Sequence, residues 1–396
     1  VISAAFGRRL VVMLALTFAA VAYFSYGRLV FTGRGHDMGT GVLLGGDYVV
    51  FHEAAHATSA ARVDSLYRFD DFTASLRARY PGHGTMKFGW QYPPTMLLLV
   101  RPWQRFDFRA GFYWWTVAGL VAFGAVVWRR VTDPLTRVLV ATSPTVLLAI
   151  ITGQTGLFTG ALVGVALWAP ERNPVAAGIA AGLLTVKPQL GPLIPVAYIA
   201  ARCWRAVAVA ATTAVLLGLA SLVNTGPAAW RASLAAVQGI AGKMSGAEFP
   251  AERFTTPFGL LQAVGVPIPL ATFGQLVATV LLVAWVAWAW APVKGALRDV
   301  EWRFAAVAAA IPIATPYAMY YELPMVLLAL AVLGERAGRT GWLPGERWVL
   351  AALWALPFLP NVGAGGRGLP LYSVLSVVAW WVVVRRRGRG AIATNC

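Results

Sequence analysis

The stretch Gly46 to His56 reads GDYVVFHEAAH and offers two chemistries. His52, Glu53 and His56 form an H-E-x-x-H pattern. On a helix this sets two imidazoles one turn apart as zinc ligands, with the glutamate as general base. Asp47, five residues before His52, follows two glycines. A lone carboxylate there either takes the proton of an attacking hydroxyl or caps the helix that follows. At roughly 100° per residue, Val50, Phe51, Ala54, Thr58 and Ala61 fall within about 60° of Asp47, whereas His52, Glu53, His56 and Ser59 lie about 120° to 180° away. A helix lying along a membrane surface then packs Asp47 inward and turns the histidines toward water or headgroups. Catalytic zinc also needs a third protein ligand in a shielded site. Only His36, His83 and loop carboxylates remain to supply it, at no recognisable spacing. The histidine pair is therefore read as a solvated face, with no metal expected, and Asp47 stays open between helix cap and catalytic carboxylate.

Composition decides what kind of scaffold must position it. Of 396 residues 58% are hydrophobic and 12% charged, and the mean hydropathy is +0.65. Soluble domains carry roughly 25% charged residues, so the pattern is that of an all-α polytopic membrane protein forming one domain over 1–396. The net charge of +17 raises nucleic-acid binding, but its distribution argues against it. Arg8-Arg9, Arg129-Arg130 with Arg137, Arg202 with Arg205, Arg336 with Arg339, and Arg385-Arg386-Arg387 fall in short links between apolar runs. Such clusters mark the cytoplasmic side. Cys203 and Cys396 both map there, so no disulfide is implied.

With the N-terminus inside, a first retained span covers 10–31. An outer loop follows over 32–91, then an interfacial or re-entrant helix over 92–100 started by Pro93-Pro94. Further spans are placed at 108–128, 136–152, 156–170, 174–187, 189–203, 205–223, 269–290, 302–315, 322–334, 347–360 and 370–384. That makes about twelve, several shorter than the ~20 residues a bilayer usually requires. A second outer loop covers 224–268, and an Arg-rich cytoplasmic tail 385–396. On this topology Gly45-Gly46-Asp47, Gln91-Tyr92-Pro93-Pro94, Gly153-Gln154-Thr155-Gly156, Lys187-Pro188-Gln189 and Tyr320-Tyr321-Glu322 all sit at outer span ends, opposite the Arg clusters. Polar groups at membrane depth generally line a cavity.

The ordered series GDYVVFHEAAHA, DSLYRF (64–69), QYPPTMLLLVRPW (91–103), SPTVLLAIITGQTGLFTGALVGVAL (143–167), AAGIAAGLLTVKPQLGPLIP (176–195) and ATPYAMYYELPMVLL (314–328) resembles glycosyltransferase family 87 of the GT-C superfamily. The resemblance implies a GT-C-like fold. It implies transfer of a sugar, typically mannose, from a polyprenyl-phosphate donor to a lipid or glycan acceptor at the outer face, with inversion at the anomeric carbon. The protein is then expected in a bacterial inner membrane, its active site on the periplasmic side. Glu322 stands where the family's last motif is expected to carry Asp.

In such a reaction Asp47 serves as base. Lys187, and behind it Arg253 in the outer loop with Lys243, are candidates for the donor phosphate, since charge there stabilises the leaving group. Gln154 and Gln189 are candidates for sugar hydroxyls, and Tyr92, Tyr320 and Tyr321 for stacking on sugar or fixing the lipid head. Glu322 either binds sugar hydroxyls or orients Lys187 or Arg253. The bland alternatives are a snorkelling lysine and interfacial aromatics. A monophosphate leaving group does not require a metal and the sequence has no Asp-x-Asp pair, so no cofactor is expected. The competing classes are a transporter or flippase of a lipid-linked glycan and, as a minor reading, a zinc peptidase.

Overall fold

The computed structural model describes residues 4–59, 63–83, 88–243, 250–292, 299–358 and 370–387. Its regular elements are helices: α1 (Ala4–Thr32), α2 (Tyr48–Ser59), α3 (Phe69–Arg79), α4 (Pro94–Val100), α5 (Phe108–Arg130), α6 (Pro134–Ala141), α7 (Pro144–Thr152), α8 (Gly156–Leu167), α9 (Pro174–Leu183), α10 (Leu193–Ala200), α11 (Trp204–Lys243), α12 (Pro257–Ala263), α13 (Ile268–Trp290), α14 (Val300–Ala314), α15 (Pro324–Thr340), α16 (Glu346–Ala355) and α17 (Leu371–Arg385). Among the described residues no strand forms; two isolated bridges join Asp37 to Leu43 and Phe254 to Met319.

A local rule sets many helix starts. Asp133, Ser143, Asn173 and Thr256 each precede a proline, and each side chain accepts a backbone N–H of the first helical turn. The oxygen satisfies a donor that the helix leaves unpaired, and the proline's fixed φ suits the first helical position. The span expected at 136–152 is present as Pro134–Thr152, and the same rule puts a break inside it, where α6 and α7 meet at Thr142-Ser143. The short helix expected after Tyr92 is present as α4, with Pro94 opening it. The span expected at 189–203 is shorter, only Leu193–Ala200 being α-helical.

Among the described residues five segments are long and apolar enough to cross a membrane: Arg9–Thr32, Phe108–Arg130, Pro134–Thr152, Trp204–Val237 and Ile268–Trp290. The chain is thus an integral membrane protein. The two regions expected as outer loops contain helices, the one from Asp47 onward having been expected. Residues 32–91 hold α2 and α3. The stretch 224–268 continues as helix to Lys243 after a break at Gly226, whose φ of 76° and ψ of 166° precede Pro227. Apolar patterning ends at Val223, but helix propensity does not, so hydropathy alone sets the boundary too early. Cys396 and the tail beyond Arg387 lie outside the described residues; Cys203 is a buried free thiol.

α14 is the central helix. Every residue from Trp302 to Ala314 is buried, packed by α8, α10, α13, α15 and α17. Its alanines let these neighbours approach closely. The helices share a polarity. At one end meet the C-termini of α7, α9 and α14 and the N-termini of α8, α15 and α17. At the other end Arg336 pairs with Asp299, Arg303 with Glu171, and Arg386 with Glu346. Arg336, Arg303 and Arg386 are buried, so this part of the basic content also locks helix ends together. Removing one partner of a buried pair leaves an uncompensated charge. Glu346→Ala is expected to destabilise the detergent-solubilised protein by about 3 kcal/mol or more. Equilibrium unfolding of the variant beside wild type measures it, and a change within about 0.5 kcal/mol, as for an ordinary surface site, would show that Arg386 finds water.

Candidate active site

The polar motifs converge at the first of these ends. Asp47 directly precedes α2, and its backbone N–H donates to the Thr152 carbonyl at 3.0 Å. That contact ties the α2 entrance to the end of α7. Gly153 then turns the chain with φ +59°, and a Cβ on it would lie 2.5 Å from the Gly45 carbonyl oxygen. This close approach puts Gln154 beside Asp47. Gln154 donates through Nε2 to Asp47 Oδ2 at 2.9 Å and accepts the Tyr92 hydroxyl at 2.8 Å. The amide therefore bridges aspartate and tyrosine.

A second cluster lies next to the first. Lys187 ends the turn after α9, with only 3% of its surface exposed, and pairs with the fully buried Glu322. Its Nζ also donates to Thr155 Oγ1 at 3.1 Å. The other Glu322 oxygen accepts from Thr159 Oγ1 at 2.8 Å. The Lys187 ammonium sits 4.7 Å from the Tyr321 ring centre and 5.4 Å from that of Tyr92, as cation–π partners do. Tyr92 thus touches both clusters. Glu322 orients Lys187, one of the roles open from the sequence.

Arg253 comes from the turn Ala251–Arg253 and is exposed. The Phe254–Met319 bridge, with the Thr255 N–H donating to the Ala318 carbonyl at 3.0 Å, fastens that turn to the segment before Tyr320. Tyr320 stacks on Tyr372 of α17 with centres 5.0 Å apart. Burial raises the Asp47 carboxyl above the ordinary carboxylate range, opposed by the Gln154 hydrogen bond and the charges of Arg253 and Lys187. The residue is half-buried.

Gln189 is half-buried in the turn Pro188–Leu190 and takes no part in these hydrogen bonds. Lys243 ends α11. Sequence reasoning passed over Thr155, Thr159 and Tyr317. The two threonines stand one helical turn apart at the start of α8 and face Lys187 and Glu322 together, a spacing legible in GQTGLFT. Tyr317 lies in the electrostatic surroundings of Tyr92, Asp47 and Glu322 and packs edge-on against Phe254 at 5.6 Å.

The H-E-x-x-H residues occupy a different environment from the expected solvated face. His52 is 5% exposed and Glu53 fully buried. Glu53 is taken by Arg79 and Ser75 of α3. His52 Nδ1 meets the Tyr80 hydroxyl at 2.6 Å and its Nε2 the Phe106 carbonyl at 3.4 Å. His56 Nδ1 bonds the His52 carbonyl at 2.9 Å. The physical reason is that α3 covers the polar face of α2, so the face meets protein instead of water and both ring nitrogens of His52 are occupied. The motif joins two helices.

The model of glycosyltransferase family 87 matches residues 90–316, more than half of the chain, and the chain belongs to that family. No curated protein and no solved structure matches it. The matched region carries Tyr92, Gln154, Lys187, Gln189 and Arg253. Asp47 and Tyr320–Glu322 lie outside it and are brought to it by the fold.

Two outcomes are expected from this geometry. Gly153→Ala should displace Gly45 and with it Asp47, lowering turnover at least about tenfold (about 1.4 kcal/mol in the barrier) while the protein stays folded. Steady-state rates beside a melting curve test this, and unchanged rates would show that the loop gives way freely. Burial, with the nearby His56, lowers the His52 imidazole from its ordinary 6.5 to about 4. The unfolded chain then takes up its proton first as pH falls, so stability is lost between about pH 6.5 and pH 4 and is level below. His52→Gln should flatten that window in pH-dependent unfolding; an unchanged slope there would assign it to other groups.

Proposed function

We propose that the protein moves a sugar, mannose in the first instance, from a polyprenyl-phosphate donor to a hydroxyl of a lipid or glycan acceptor, with Asp47 as general base and inversion at the anomeric carbon. The family membership supports sugar transfer. The observation that carries the residue assignment is the carboxyl of the half-buried Asp47, held by Gln154 and raised by burial beside Arg253. The acceptor oxygen attacks the anomeric carbon as its proton passes to Asp47 Oδ1 or Oδ2. The bond between that carbon and the phosphate oxygen breaks, and its electron pair leaves with the polyprenyl phosphate. A single displacement from the opposite face inverts the centre.

The leaving phosphate needs positive charge as it departs. Arg253 is exposed and acts on Asp47, so it meets the phosphate directly. Lys187, already paired with Glu322, supplies a fixed positive field from beneath and holds Tyr92 and Tyr321 in place. Tyr92, Tyr320 and Tyr321 present ring faces to sugar or lipid head, Gln154 positions the base, and Gln189 stands at the rim for a sugar hydroxyl. The arrangement is read as GT-C-like. The Arg-rich end faces the cytoplasm and the site the periplasmic side of a bacterial inner membrane, following the positive-inside rule. Partners are membrane lipids, the lipid-linked sugar and the acceptor. No observation favours a transporter, and the committed contacts of His52 and Glu53 leave the peptidase reading without a site.

The test is release of polyprenyl phosphate from a panel of polyprenyl-phosphate sugars with membrane-extracted acceptors. Asp47→Asn keeps the Gln154 hydrogen bond and removes the base. It is expected to melt no lower than wild type and to lose at least about a hundredfold in rate, the lower range for acid–base catalysis. Because the base must be ionised and burial raises its carboxyl, wild-type turnover should fall on the acid side at a pH above the ordinary carboxylate value of about 4. An Asp47→Asn enzyme as fast as wild type would remove Asp47 from the chemistry.

A further inference from the structure

The histidines of the opening motif are occupied, but the remaining two meet. His36 and Asp37 follow α1, and His83 follows α3, more than forty positions on. The structure brings one ligand atom of each within 4.8 Å of the others. His83 Nε2 lies 2.6 Å from Asp37 Oδ1, and His36 Nε2 lies 3.8 Å from the same oxygen. The two imidazoles are 5.4 Å apart, ring centre to ring centre. His36 Nε2 also touches the Pro81 carbonyl at 3.3 Å. We propose that His36, Asp37 and His83 form a divalent-cation site of zinc type that clips the loop leading to Asp47 onto the end of the α3 segment.

Two imidazoles and one carboxylate are borderline-to-hard donors of the kind zinc takes, and a fourth position is left for water. Tetrahedral zinc with ligands at about 2.0–2.2 Å sets donor atoms about 3.3 Å apart. The present separations of 2.6 and 3.8 Å straddle that value, so small rotations of side chains complete the triangle. The cation takes the place of the hydrogen bond between His83 and Asp37. His83 then binds through Nε2 and carries its proton on Nδ1, and His36 gives up the Pro81 contact.

The backbone that carries two of the ligands is already fixed. Arg109 donates to the Asp37 carbonyl at 2.9 Å and to the carbonyls of Gly35 and Val30. The Leu44 N–H donates to the His36 carbonyl at 2.9 Å, and the Met38 N–H to that of Val42 at 2.8 Å. A cation bound there stiffens the stretch that ends in Gly45-Gly46-Asp47. It is distinct from the H-E-x-x-H pair, from which it is separated by the rings of Tyr80 and Phe108, packed edge-on against His36 at 5.5 and 6.4 Å.

The experiment uses full-length protein in detergent, stripped with a chelator and titrated with zinc against a chromophoric competitor. Wild type is expected to bind one zinc per chain and to gain thermal stability as it does. Asp37→Asn and His83→Gln should each weaken zinc binding by more than about tenfold, as even outer-sphere changes do, and lose the zinc-dependent thermal shift. His52→Gln should bind like wild type. Two variants on separate segments keep the outcome readable if one folds poorly. Wild type that binds no zinc, Asp37 and His83 variants that bind as tightly as wild type, or loss of the zinc in His52→Gln would each overturn the proposal.

Discussion

Lys187 and Glu322 meet where almost no water reaches either of them, and much of the site is arranged around keeping both charged there. Taking two ions out of water is expensive, and their attraction offsets it only when the remaining hydrogen bonds are made. Here they are: Thr155 and Thr159 take the spare donor and acceptor, and the rings of Tyr92 and Tyr321 face the ammonium. The pair therefore fixes the start of α8, the turn after α9 and the entry to α15 relative to one another. The fit is tight in the backbone as well, since a Cβ on Gly156 would lie 1.7 Å from the Tyr321 carbonyl oxygen. Gln154 is two residues from Gly156, so the position of the group that holds Asp47 is inherited from an ion pair it does not touch.

This divides the polar end into a dry half and a wet half. Lys187 and Glu322 neutralise each other and change little when substrate arrives. Asp47 and Arg253 are of opposite charge too, but the first is half-buried and the second exposed, so their balance is open to a ligand. An anionic group near Arg253 weakens the pull that keeps Asp47 ionised and makes it a stronger base. Tyr92 belongs to both halves, through the Gln154 amide on one side and the Lys187 ammonium on the other.

The sequence revealed the membrane class and the clustering of polar motifs at one end through hydropathy and the placement of arginines, because both are averages over many residues. Asp47, Gln154, Lys187 and Glu322 were singled out through the ordered motifs and their resemblance to a family, but the hydrogen bond between Gln154 and Asp47 was not foreseen. The environment of His52 and Glu53 was not legible, since helical periodicity sorts the faces of α2 without saying what covers each. The cover is α3, an element of low hydropathy that composition assigns to a loop. The same blindness hid the helical continuation beyond Gly226, where apolarity stops before helix does. Thr155 and Thr159 were missed for a different reason: a threonine in an apolar helix carries no signal until its partner's position is known.

The site draws on segments spread from Asp47 to Tyr372, with Glu322 and Tyr320 contributed by the last fifth of the chain. During synthesis Asp47 emerges early, while the counter-ion of Lys187 and the segment that fastens the Arg253 turn arrive near the end. Until then Lys187 has no partner and the Tyr321 backbone that abuts Gly156 does not exist. A growing or truncated chain therefore holds Asp47 without the frame that aims it. Such a chain lacks the assembled polar end, which is complete only when the last helices have joined the bundle.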